Sequence, residues 1–297
     1  MRRVLVTGAG GQVGWSLLCA SPPEGFDVRG YPRSALDVLD VEAVERLVRD
    51  ADLVVNAAAY TAVDAAQTDR ERCFAINAEA PGVLAGRCAA LGVPLIHLSS
   101  DYVFDGRKRG AYVEDDPVHP INVYGQSKVA GEEAVRRAND AHVIVRTSWV
   151  FAARGRNFVR TMVALAESTE PLRIVDDQVG APTAAGDIAK TVLAVGAKLL
   201  DDGGPYGTFH YTSEGSTSWY GCAQTIFDLV ARRRNARPLI EPITTADYGA
   251  PAPRPKNSML DCAKITEAFA PPRRSWQDGV ADVVKEILDA QDERPAT

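Results

Sequence analysis

The apolar run Val4-Leu5-Val6 meets Thr7 and gives way to Gly8-Ala9-Gly10-Gly11-Gln12-Val13-Gly14, after which Trp15 to Cys19 reads as helix. A short apolar run without alternation suits a strand covered on both faces, the kind found in parallel sheets. Glycines at 8, 11 and 14 make a G-x-x-G-x-x-G spacing, not G-x-G-x-x-G, because position 13 is Val. The physics is shared: glycines permit a tight turn, and backbone N–H groups at the helix start can meet a pyrophosphate. Gly8, Gly11, Gln12, Val13 and Gly14 are therefore candidates for a dinucleotide groove. A merely structural strand-to-helix turn is the alternative.

The rhythm that follows is strand and helix in alternation. Phe26 to Tyr31 reads as a second strand, Val41 to Arg49 as a helix with Asp40 as N-cap, and Asp52 to Asn56 as a third strand. The small residues Ala57, Ala58 and Ala59 come next, at a strand end where a backbone can approach a ligand closely. A helix is expected over Arg70 to Leu91, stopped by Gly92, then a strand over Val93 to Ser99. The proline- and charge-rich stretch Asp105 to Asn122 has the length of a binding flap. His142 to Arg146 reads as the fifth strand. This pattern predicts an α/β fold with a Rossmann-type doubly wound parallel sheet over residues 1–150. Beyond 150 the alternation breaks. Residues 151–297 read as a smaller C-terminal α/β substrate domain, with one strand near 205–213 returning to the sheet and a frayed tail over Gln291 to Thr297.

A NAD-selective site usually carries an acidic residue about 20 positions past the glycines. Here that neighbourhood holds Pro32-Arg33-Ser34. Arg33 suits a 2′-phosphate, so NADPH is the first choice of cofactor, with NADH also admitted; the alternative is a solvated surface arginine. The net charge of −6 argues against a general nucleic-acid binder. Five scattered cysteines without a C-x-x-C pair suit reduced thiols, and no stretch has the length of a signal-peptide core or membrane span. A cytoplasmic location is expected. His97, His142 and His210 alternate with apolar strand residues and read as structural; Trp219, Tyr220 and Phe227 read as core.

The chemistry concentrates in Tyr124-Gly125-Gln126-Ser127-Lys128 and the upstream Ser99-Ser100-Asp101. Tyr124 and Lys128 lie four apart and share a helix face. A free phenol ionises near about 10, and a neighbouring ammonium is expected to lower that value toward the range useful for acid–base catalysis. Ser100, delivered by a strand end, is placed to hold the oxygen that the tyrosine protonates. A surface helix with an exposed Tyr and a solvated Lys is the competing account.

Glycine turn, strand-end serine and Tyr-x-x-x-Lys, in that order, resemble the extended short-chain dehydrogenase/reductases. Val55 to Asp64, Ser100 to Phe104, Asn122 to Gly125, Arg146 to Val150, Asp177 to Thr183 and Arg254 to Ser258 resemble more narrowly the dTDP-4-dehydrorhamnose reductase family. The resemblance covers nearly the whole chain. It implies NAD(P)H-dependent reduction of the 4-keto group of a dTDP-linked 4-keto-6-deoxy sugar, with Ser100, Tyr124 and Lys128 as the catalytic set. Tyr124 is then the proton donor, and Lys128 tunes it and holds the nicotinamide ribose. By position, Thr61, Val63, Asp64, Asp101, Tyr102 and Trp149 match the sugar pocket. Asp37, Val38 and Ala57 to Ala59 join the glycines at the cofactor groove, and Arg254 matches a holder of the nucleotide diphosphate.

Sugar 4,6-dehydratases on the same scaffold carry Asp-Glu after the Ser/Thr; Ser100-Asp101-Tyr102 lacks the glutamate and favours simple reduction. Two alternatives stay open: another 4-keto-6-deoxy nucleotide sugar as substrate, or an NADP-binding regulatory subunit resembling the methionine adenosyltransferase beta subunit. Some relatives dimerise around magnesium through three glutamates. The matching positions here are Ser16, Gly186 and Glu286, and Asp187 is expected to point elsewhere on its helix. No metal is expected, and the chain is read as a monomer or a metal-independent dimer.

Overall fold

The computed structural model describes residues 1–234 and 237–293. Strands β1 (Arg2–Thr7), β2 (Phe26–Tyr31), β3 (Leu53–Asn56), β4 (Leu95–Ser100) and β5 (His142–Thr147) join a sixth, Gly207–His210, in one sheet. Every neighbouring pair is parallel, and from one edge the order is β2, β1, β3, β4, β5 and then Gly207–His210. The chain reverses direction of travel across the sheet between β1 and β3, which opens a crevice at their carboxyl ends. The returning strand expected near 205–213 is present, pairing with β5.

Side chains alternate across the strands, and both sheet faces are covered. Val4, Val6, Val55, Ile96 and Val145 pack with helix α1 (Gln12–Cys19) and with Ile188, Val192 and Val195 of helix Ala185–Asp202. Leu5, Val54, Leu95 and Ile144 face the other way, onto helix α2 (Val41–Arg49) and the Leu84–Cys88 region. Each fully buried aliphatic side chain is worth about 1.5–3 kcal/mol. Asp40 caps α2 by accepting from the Ala43 N–H at 3.0 Å.

After β3 come helices α3 (Val63–Ala66) and α4 (Arg70–Phe74). The helix expected over Arg70 to Leu91 is present and continuous, α4 passing through a π-helical turn, Ala75–Glu79, into α5 (Ala80–Ala90). Asn77, inside that turn, uses its side chain to hold the Tyr60 backbone from both sides, at 2.8 and 3.0 Å. Helix α6 (Val123–Ala138) carries the Tyr124 stretch and is capped by Asn122, whose oxygen accepts from the Gly125 N–H at 2.8 Å.

A separate apolar cluster lies in the second half, with Phe151, Met162, Ile226, Phe227, Val284 and Leu288 at its centre. The two halves are interwoven, since Ile188, Val192, Ile265 and Phe269 belong to the sheet's own core. The stretch 105–122, expected as a flap, is strapped down. Asn257 donates to the Lys108 and Gly110 carbonyls, Asn122 to the Pro253 carbonyl, and Tyr112 bonds with Met259 and Asp261 through the backbone. The last helix, Trp276–Asp292, runs into the segment expected to fray; 294–297 lie outside the described residues. Among the described residues no helix is long and apolar enough to cross a membrane.

Candidate active site

The crevice between β1 and β3 is built from close contacts. A Cβ on Gly8 would lie 2.5 Å from the Ala58 nitrogen, and one on Gly14 would lie 2.3 Å from the Gly8 carbonyl oxygen. Gly8 also holds a φ of 68°, a left-handed conformation natural to glycine. Gly11 is the N-cap of α1 and brings no side chain to its first-turn N–H groups. These features fit a pyrophosphate at the helix start. Behind them a hollow of about 80 Å³ is lined by Gly8, Arg33, Asp37, Val38, Ala58 and Arg72. Arg72 escaped the sequence reading because it lies about forty positions from Arg33 and only folding brings α4 alongside. Asn56 fixes the alanine stretch by accepting from the Ala58 N–H and the Thr7 hydroxyl, at 3.2 and 2.7 Å. Gln12 accepts from Asn157 at 2.8 Å, tying the glycine turn to the second half, while Val13 packs on the sheet core.

At the end of β4, Ser100 donates to Asp101 Oδ1 at 2.8 Å and accepts from the Tyr102 N–H at 3.1 Å. Tyr124 packs edge-on against Tyr102, ring centroids 5.5 Å apart. The start of α6 presses on this turn: a Cβ on Gly125 would sit 2.2 Å from the Tyr102 carbonyl oxygen. Tyr124 and Lys128 are both buried, so the solvated-surface account of this helix fails. Ser127 donates to the Tyr124 carbonyl at 2.6 Å and accepts from Asn77 at 2.9 Å, which anchors the helix start.

The electrostatics differ from expectation. Burial pushes the Tyr124 phenol well above its ordinary value; the Ser100 hydroxyl opposes that rise, and the Asp101 charge adds to it. The expected lowering by Lys128 is absent, because the Lys128 Nζ donates to the Leu98 carbonyl at 2.8 Å and burial dominates. Lys128 itself is brought down to about 8 by burial, against the pull of Glu132. Burial also raises Asp101 to about 6, and its Oδ2 has no hydrogen-bond partner among the described residues. Burial keeps His97 and His210 neutral.

Beside the tyrosines lies a cavity of about 400 Å³, lined by Tyr102, Phe158, Arg173, Gln178, Tyr248 and Arg254 among others. Trp219, read as core, packs on the second apolar cluster but also lines this cavity. It stacks on Trp149 with ring centroids 3.6 Å apart and planes within 5°. Trp149 has φ 47°, a strained backbone for a bulky residue. Val63 packs with Tyr124, Thr61 is exposed, and Asp64 accepts from Arg254 at 2.8 Å.

A family model described as the RmlD substrate binding domain matches residues 1–288. The chain belongs to this family. The dTDP-4-dehydrorhamnose reductase of Burkholderia thailandensis is 44% identical over 296 residues, covering 96% of this chain and 99% of that protein. That of Sinorhizobium fredii is 38% identical over 290 residues, covering 96% and 98%. Among solved structures, the Bacillus anthracis dTDP-4-dehydrorhamnose reductase in complex with NADP superposes with a TM-score of 0.88 at 34% identity, covering 96% of this chain and all of that one. The RmlD membership agrees with the fold, an extended reductase scaffold with a parallel sheet and a second-half cavity.

The three positions that the resemblance matched to a metal site converge. Ser16, Gly186 and Glu286 line one hollow of about 310 Å³. Asp187, expected to point elsewhere, lines the same hollow. Its carboxylate accepts from Arg274 Nε at 2.7 Å, with Lys190 at 3.7 Å. Among the described residues no group of three or more His, Cys, Asp or Glu side chains is placed to hold a metal ion.

Proposed function

We propose that this chain reduces the 4-keto group of dTDP-4-dehydro-L-rhamnose, giving dTDP-L-rhamnose, with NADPH as reductant. The observation that carries the reading is Tyr124. It is a buried phenol held protonated, packed edge-on to Tyr102, and Tyr102 lines the cavity that also holds Arg254. Reduction of a carbonyl needs one hydride and one proton. Bound NADPH supplies the hydride to the carbonyl carbon. Tyr124, kept protonated by its burial, gives its phenolic proton to the oxygen. Ser100, oriented by Asp101 and the Tyr102 N–H, holds that oxygen in reach. Lys128, as an ammonium one helical turn from Tyr124, would hold the nicotinamide ribose. The pyrophosphate is held by the Gly8–Gly14 turn and the 2′-phosphate by Arg33 and Arg72.

The division of labour follows the chain. Residues 1–150, with the returning strand, bind cofactor; 151–297 supply most of the nucleotide-sugar cavity. Trp149, Tyr102 and Val63 contact the sugar, and Arg254 the diphosphate. The enzyme works in the cytoplasm as a monomer or a metal-independent dimer. A direct test is to supply dTDP-4-dehydro-L-rhamnose and its UDP and GDP counterparts, follow NADPH oxidation, and identify the product. NADPH consumption with the dTDP sugar and recovery of dTDP-L-rhamnose are expected. Binding of NADPH without turnover of any keto sugar would remove the proposal.

A further inference from the structure

We propose that Glu132 is a positioning residue for the reduction, whose buried carboxylate, one helical turn behind Lys128, holds that side chain as an ammonium ion. This rests on the reading that charged Lys128 holds the cofactor for the reduction.

The geometry is closed on every side. Glu132 follows Lys128 by four residues on α6, so both project from one helix face. The Glu132 side chain is 1% exposed and that of Arg146 is 2% exposed. Lys128 Nζ donates to the Leu98 carbonyl at 2.8 Å, and the adjacent Ser99 donates its hydroxyl to Glu132 Oε1 at 2.6 Å. Arg146, on β5, grips both carboxylate oxygens at 2.8 and 2.7 Å, and Arg136 adds a third guanidinium contact at 2.6 Å. Behind Arg146, His210 donates from Nδ1 to the Tyr112 carbonyl, leaving Nε2 to accept from Arg146.

Charge accounting then singles out Glu132. Facing Lys128 are Glu132 on its own helix, Cys73 from α4 and His97 from β4, with Tyr124 one helical turn before it. Tyr124, Cys73 and His97 are all kept uncharged by burial near neutral pH. Facing Glu132 are Arg146, Arg136 and neutral His210. One carboxylate therefore answers three cations. A buried ion pair is a poor device for stability alone, since apolar residues of similar volume often serve as well. Next to a lysine whose own burial favours the neutral amine, the same carboxylate has a use: it opposes that loss of charge.

The test is Glu132→Gln, which keeps the shape and removes the charge. In protein carrying ¹³C-labelled lysine, the Lys128 signal is assigned by its loss in Lys128→Met and titrated by NMR. The alkaline limb of kcat/KM is measured in parallel. Midpoint and limb are expected to fall together by about one pH unit or more, with the acid limb unmoved. At pH 8 a one-unit fall then gives a loss of about fivefold, and near pH 6 the loss is small. If Glu132→Gln does not fold, the double variant Glu132→Gln/Arg146→Met removes the buried pair together and is expected to move both readings in the same direction. An unmoved Lys128 titration in a folded variant overturns the proposal, as does a moved titration with an unmoved limb. A shifted titration in a protein that turns over no keto sugar would count against the assigned reaction and not against the Glu132–Lys128 coupling.

Discussion

Arg254 donates to the carboxylate of Asp64 at 2.8 Å, across 190 positions of chain. The Ala252 N–H bonds the same carboxylate, and Arg254 returns to the Ala252 carbonyl, so the contact is a small closed clamp at the mouth of the cavity. The pair is partly exposed, and such pairs are worth little in stability. Its effect is expected in binding. Asp64→Asn should raise KM for the nucleotide sugar by about two- to fivefold, and Arg254→Met by more, with the KM for NADPH unchanged. Steady-state kinetics with each substrate varied checks this. An unchanged sugar KM in Arg254→Met would remove Arg254 from the diphosphate site.

Tyr124→Phe deletes the proton donor and leaves the packing against Tyr102 intact. A loss of about 10²–10⁴-fold in kcat is expected, with NADPH affinity retained by fluorescence titration. Near-normal turnover would sink the assigned mechanism.

Arg33 and Arg72 line the same small hollow beside Gly8. Arg33→Asp is expected to weaken NADPH far more than NADH, because only the former carries a 2′-phosphate. The ratio of kcat/KM values for the two cofactors is the measurement, and an unchanged ratio makes Arg33 a surface residue.

Asp101 predicts a pH dependence of stability. Burial raises its carboxyl from the ordinary 3.8 to about 6, so the folded state favours the neutral acid. That contribution is complete below about pH 4 and is lost as pH rises through 6. Asp101→Asn should therefore raise the stability at pH 8 by about 3 kcal/mol, with the curves converging below pH 4. Urea unfolding across that range tests it; a variant no more stable than the parent at pH 8 contradicts the assigned ionisation.

Divalent metal should not matter. Asp187 is neutralised by Arg274, which also pairs with Asp282, so the guanidinium already supplies the positive charge a cation would bring. Activity and sedimentation are expected to be the same with and without EDTA. Chelator-sensitive dimerisation would show that other ligands have taken the role.

Much of this protein is written locally. The apolar run at Val4–Val6, the glycines at 8 and 14, the Asp40 cap and the four-residue spacing of Tyr124 and Lys128 depend on neighbours within a turn or a strand. Steric preference and the 2- and 3.6-residue periods act over that range, so such features are legible before folding. The family motifs are legible for the same reason, as short runs of adjacent residues. Tertiary structure decided the rest. It set Arg72 beside Arg33, stacked Trp149 on Trp219, turned Asp187 into the Ser16 hollow and strapped the 105–122 stretch to Asn257. It also decided protonation: Tyr124 was expected to be tuned downward by Lys128, but enclosure outweighs a neighbouring charge whose ammonium is bonded to Leu98. Desolvation is a property of everything packed around a group, contributed here by Ala66 and Val63 of α3, Cys73 of α4, Tyr60 and Tyr102, and no local spacing records it.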